Sequence, residues 1–102
     1  MDKPKDVKIT VLKRLSNEDL LKEYADPDVE FQCPIYQEGQ EFLVKDIGMP
    51  ENFCAWAWAD IQRDVAILAL GGNPFWINRK GIMISACTDG LRPVIFKLER
   101  IE

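Results

Sequence analysis

Apolar and polar residues alternate along residues 7–15 with the two-residue period of a strand, placing Val7, Ile9 and Val11 on one face and Lys8, Thr10 and Leu12 on the other. This predicts a first strand with one buried side. Ser16 or Asn17 then suits the cap of a short helix carrying Glu18, Leu20, Leu21 and Tyr24, with Glu18 and Asp19 in the first turn, where acids are favoured. Asp26-Pro27 ends it. Residues 27–37 contain two prolines and no period, so they read as loop. Phe42 and Val44 alternate with Glu41, Leu43 and Lys45 across residues 40–45, which predicts a second strand.

The longest patterned stretch is 49–72, and its period is helical. Cys54, Ala57, Trp58, Ile61, Val65 and Leu68 fall on one stripe, with Asp60, Arg63 and Asp64 on the opposite side. Pro50 fits a first turn, Glu51 complements its positive end, and Gly71-Gly72 supply the stop. Trp56, Ile67 and Leu70 flank the three charges, so this side is expected to meet a second layer or a partner. Beyond the helix, Phe75 and Trp76 lie in a loop bounded by Pro and Gly, where they are expected to lid the core edge.

Residues 82–87 and 91–101 are two further β-like runs joined through Thr88-Asp89-Gly90-Leu91, and Asp-Gly is favoured at a two-residue type I′ turn. In that register Thr88 pairs with Leu91, Cys87 with Arg92, Ser85 with Val94 and Met83 with Phe96. Pro93 lacks a ladder donor and calls for an edge or a bulge. The pattern as a whole predicts an α+β fold in a single domain, residues 1–102: a small antiparallel sheet of about four strands with one long amphipathic helix packed on it.

Composition narrows the function classes. With 13 Lys and Arg against 17 Asp and Glu, a net charge of −4 disfavours a general role on phosphate backbones, so no nucleic acid partner is expected. No run approaches the ~20 apolar residues that span a bilayer, and the charged N-terminus offers no signal-peptide core; a cytoplasmic protein with no membrane partner is expected. Histidine is absent, which removes His-activated nucleophiles and the commonest transition-metal ligand.

Two runs, residues 53–61 (FCAWAWADI) and 87–96 (CTDGLRPVIF), preceded by Cys33-Pro34, Gly39 and Phe42, resemble a family of roughly hundred-residue uncharacterised bacterial and archaeal proteins. The likeness spans nearly the whole chain. It implies the same chain organisation and a cytosolic setting, and brings no activity, cofactor or catalytic residue. A second cysteine often precedes the DG-turn cysteine in that family, whereas this chain has Ala86.

Four constellations carry chemistry, each beside a plainer reading. Cys33, Cys54 and Cys87 are potential metal ligands, but three dispersed thiols without C-x-x-C spacing argue against a metal or any other cofactor; for Cys54 core packing is the plainer role. Cys87 beside Arg92 would be a reactive thiol, since a near guanidinium favours the thiolate; the alternative pairs Arg92 with Asp89 or a helix carboxylate. Asp60, Arg63 and Asp64 either shape a polar pocket or form ordinary helix-surface pairs. Trp56, Trp58, Phe75 and Trp76 either line a cleft or interface or, for Trp58, join the core. The lead expectation is a noncatalytic small-ligand or protein-binding module that self-associates. A thiol-dependent redox or metal-binding protein using Cys87 with Cys33 or Cys54 is the rival, and acid–base catalysis by Asp60 and Asp64 ranks third.

Overall fold

The computed structural model describes residues 3–102; Met1 and Asp2, the start of the charged N-terminus, lie outside the described residues. The elements are β1 (Val7–Arg14), α1 (Glu18–Tyr24), β2 (Glu41–Val44), α2 (Ala55–Ala69), β3 (Ile82–Ala86) and β4 (Val94–Arg100). All strand pairings are antiparallel, in the order β2-β1-β4-β3, so the fold is the expected α+β. Alternation decides which face is buried. Val7, Ile9 and Val11 of β1 and Val94, Phe96 and Leu98 of β4 pack with Ala57, Ile61, Val65 and Leu68 of α2 in one core, which Val44 of β2 joins from the sheet edge. The other sheet face is tied by Lys8, which lies 3.7 Å from both Glu41 and Glu99. A bulge between Val11 and Lys13 lets β1 follow the twist of β4.

The long helix begins later than its sequence pattern suggests. Asp46, Ile47 and Asn52 hold positive φ (52°, 59° and 62°), so the chain turns twice before Cys54 and cannot be helical from Met49. Pro50 and Glu51 therefore precede the helix. At the other end the expected stop is a Schellman motif: Gly71 N–H donates to Leu68 O and Gly72 N–H to Ile67 O, with Gly71 at φ 96°. Arg100 seals this end by donating from Nη1 to Leu68 O and Gly72 O, placing a cation at the negative helix terminus. The short helix α1 follows Asn17 as expected, but Asn17 makes no cap bond; its side chain donates to Gly90 O at 2.6 Å.

The hairpin register differs from expectation by two residues. Cys87 N–H donates to Val94 O, Ser85 pairs with Phe96 and Met83 with Leu98, leaving a longer loop between the strands. The cause is Asp89, whose Oδ1 accepts from Leu91 N–H and Arg92 N–H in an Asx-type turn that competes with the type I′ turn. Neither Asp89 nor Gly90 has positive φ, which type I′ requires of both central residues. Cys87 therefore does not face Arg92.

Candidate functional site

Two clefts flank α2. The first, about 490 Å³, opens between α2, β3 and the loop after the helix, with Ile67, Leu68, Pro74, Phe75, Trp76 and Met83 as apolar walls and Arg63, Asp64 and Asn73 as polar groups. Its loop wall is fixed at the base. Asn73 Oδ1 accepts from Gly81 N–H at 2.7 Å and from Arg100 Nη2 at 3.0 Å, drawing the two ends of the loop together. Phe75 and Trp76 consequently stand away from the core, 93% and 61% exposed, with their rings edge to face at 5.1 Å. They wall a cleft and do not lid the core.

Asp64 is the group the sequence placed wrongly. Expected on the outward charged side, it is 6% exposed, turned toward β3, where Ser85 Oγ donates to its Oδ2 at 2.7 Å. Among the described residues its Oδ1 accepts no hydrogen bond: Arg63 Nε stands 3.7 Å away, beyond hydrogen-bond range, on a side chain that is 81% exposed. Asp60, a turn earlier, reaches the hairpin loop, accepting from Thr88 N–H at 2.7 Å and from its hydroxyl. The three helix charges therefore part company: Asp64 enters the cleft, Arg63 stays at its rim, and Asp60 fastens the loop beside the second cleft.

The second cleft, about 400 Å³, is where the two runs at residues 53–61 and 87–96 come together. Cys33, Cys54 and Cys87 all line it, with Tyr36, Trp56 and Arg92. Cys33 and Cys87 are buried while Cys54 is half-buried, so Cys54, for which core packing was the plainer expectation, is the most open of the three and Cys87, the expected reactive thiol, is not. Arg92 takes the plainer of its two roles, donating from Nε to Asp89 at 3.4 Å and from Nη1 to Glu30 O at 3.4 Å. Among the described residues no three Cys, Asp or Glu side chains gather closely enough to hold a metal ion.

Tyr36 was missed by sequence reasoning because its loop has no period. It is 1% exposed, set edge to face against Phe42 and Phe96 and tilted against Phe53, and its hydroxyl oxygen accepts from Cys54 N–H at 3.1 Å. Burial pushes the phenol well above its ordinary range, opposed by the Cys54 N–H bond and reinforced by the nearby Cys54, Cys33 and Cys87 thiols, so the hydroxyl keeps its proton. No helix among the described residues is long and apolar enough to cross a membrane. No protein-family model matches the chain, and no curated protein or solved structure matches it.

Proposed function

We propose that the chain is a noncatalytic binding module that takes a small aromatic or alkyl amine in the cleft between α2 and the loop carrying Phe75 and Trp76. The observation that carries this reading is Asp64 Oδ1, which makes no hydrogen bond among the described residues and stays open to the apolar cleft, while the rest of its side chain is buried. A carboxylate oxygen open to an apolar cleft favours a donor that brings positive charge, and Trp76 and Phe75 line the same cleft with π-faces suited to a cation. The ammonium group would replace the loose Arg63 contact, while the ligand's apolar body covers Ile67 and Met83.

The test is a titration of the full chain with phenethylamine and, separately, with phenylpropionate, followed by NMR shifts of the tryptophan indoles and the Met83 methyl. Phenethylamine should shift Trp76 and Met83, and Asp64→Asn should weaken it about tenfold, the loss of one charge-assisted hydrogen bond. Equal shifts with the carboxylate, or an amine affinity indifferent to Asp64→Asn, would remove the proposal.

Self-association belongs to the same reading. Trp56 and Leu70, each 66% exposed, and Ile67, 45% exposed, lie on the outer side of α2 at either end of its charged patch. The accessible surface is 6769 Å², more than the about 5,900 Å² expected for a monomer of 11.7 kDa, so the chain has surface to spare for a partner. A second copy is the occupant proposed for that side, and the chain's likeness to the hundred-residue family remains part of the proposal.

A further inference from the structure

We propose that the second cleft is a site of reversible thiol oxidation, in which Cys54 is the sulfur attacked by a small hydroperoxide and Tyr36 holds the departing oxygen. This goes beyond the amine-binding reading and uses none of its residues. The chain has three cysteines, separated by 21 and 33 positions, and all three line this one cleft. Of them Cys54 alone is half-buried, so a reagent entering the cleft meets it first.

Two features beside Cys54 suit oxygen chemistry. The Tyr36 hydroxyl uses its oxygen to accept from Cys54 N–H, while its own hydrogen has no acceptor among the described residues, although Tyr36 is almost wholly buried. A buried donor with nothing to donate to marks a place for an oxygen atom in the cleft. Cys54 also occupies the N-cap position of α2 and makes no side-chain cap bond, so its side chain leaves the first-turn backbone N–H groups, which have no intrahelical partners, uncapped. They offer hydrogen bonds to an oxygen once it is bonded there.

The step balances without a metal. The Cys54 sulfur attacks one peroxide oxygen; the S–O bond forms as the O–O bond breaks. The proton given up by the thiol ends on the leaving oxygen, which Tyr36 meets with its free hydrogen. Sulfur loses two electrons and the peroxide gains them, so a thiol and a hydroperoxide become a sulfenic acid and an alcohol, or water from hydrogen peroxide. Attack by Cys33 or Cys87 on the sulfenic sulfur would then form the S–S bond as the S–O bond breaks, the second thiol's proton leaving with the sulfenic oxygen as water.

The experiment uses the reduced full chain and compares two reagents at each cysteine: hydrogen peroxide with a dimedone trap, and iodoacetamide, each read by peptide-resolved mass spectrometry. Cys54 should react first with peroxide, and its peroxide-to-iodoacetamide rate ratio should exceed that of the urea-unfolded chain by about tenfold, the worth of one hydrogen bond to the leaving oxygen. Tyr36→Phe should lower the peroxide rate at Cys54 by about the same factor and leave the iodoacetamide rate unchanged, since alkylation expels no oxygen. A merely structural tyrosine would change both rates together. Equal changes, a wild-type ratio no higher than in urea, or Cys33 or Cys87 reacting ahead of Cys54 would each overturn the proposal; the wild-type ratio decides the matter even where Tyr36→Phe unfolds the chain.

Discussion

The Ser85–Asp64 bond makes a sharp thermodynamic prediction, because among the described residues it is the sole hydrogen bond on a carboxylate that is 6% exposed. Ser85→Ala removes the donor and leaves the charge in place. A hydrogen bond to a charged, largely buried acceptor contributes about 1.5–3 kcal/mol, so the loss should be about 2 kcal/mol. For a domain near 100 residues that lowers Tm by about 8–16 °C. Replacing both partners by apolar groups removes the unsatisfied charge as well, so Asp64→Leu with Ser85→Ala should return to within about 1 kcal/mol of wild type. Urea denaturation of the four proteins of this cycle, followed by tryptophan fluorescence, measures the coupling directly. A Ser85→Ala cost below about 0.5 kcal/mol would mean that the cleft keeps Asp64 hydrated, and the case for an amine at its Oδ1 would fall with it. The double variant adds a functional contrast: restored stability together with lost phenethylamine binding would separate the carboxylate's role in the fold from its role in the cleft.

Other outcomes follow from the same geometry. Tyr36 holds its proton more tightly folded than unfolded, where its value is 10.0; stability from this group is whole below that pH and falls as pH rises above it, and Tyr36→Phe should flatten that part of a urea-midpoint series from pH 8 to 11. A series just as steep in Tyr36→Phe would contradict the burial of the phenol. Analytical ultracentrifugation should find a dimer, and Trp56→Glu with Leu70→Lys should give a monomer with an unchanged circular dichroism spectrum; a wild-type monomer at high concentration would refute the proposed interface.

The elements were legible where period and burial coincide. Val7, Ile9 and Val11 announced β1, and Ala57, Ile61, Val65 and Leu68 announced the inner stripe of α2, because each faces a single apolar layer. Boundaries were less legible. Pro50 and Glu51 are good first-turn residues, yet positive φ at Asn52 excludes a helix there, and that conformation serves the aromatic cluster: Phe53 must enter it beside Tyr36 and Phe42, at ring distances of 5.5 and 5.0 Å. Tertiary packing of one ring overrode local preference. The second cleft was hidden for a related reason. Cys33 and Tyr36 are the buried positions of a loop held by long-range bonds, from Arg14 to Cys33 O and from Gln32 to Arg14 O, which no spacing rule encodes.

Turn chemistry shows how a local signal can be sound and still misplace a site. Asp-Gly pointed to a type I′ turn at Asp89-Gly90, but the tight turn with two positive-φ central residues lies at Asp46-Ile47, closed by Gly48 N–H to Lys45 O. Asp89 instead spends its side chain on Leu91, Arg92 and the Arg92 guanidinium. The resulting slip is two residues, an even number, so every strand side chain keeps its face and the core composition is unaffected. What changes is the partner opposite each residue. Val94 replaces Arg92 across from Cys87, which takes away the charge that would have made Cys87 the reactive thiol, while the lengthened loop puts Thr88 within reach of Asp60 and Gly90 within reach of Asn17. A register error that leaves the fold intact thus moves the proposed site of thiol chemistry from the hairpin to the start of α2, where Cys54 N–H donates to the Tyr36 hydroxyl oxygen.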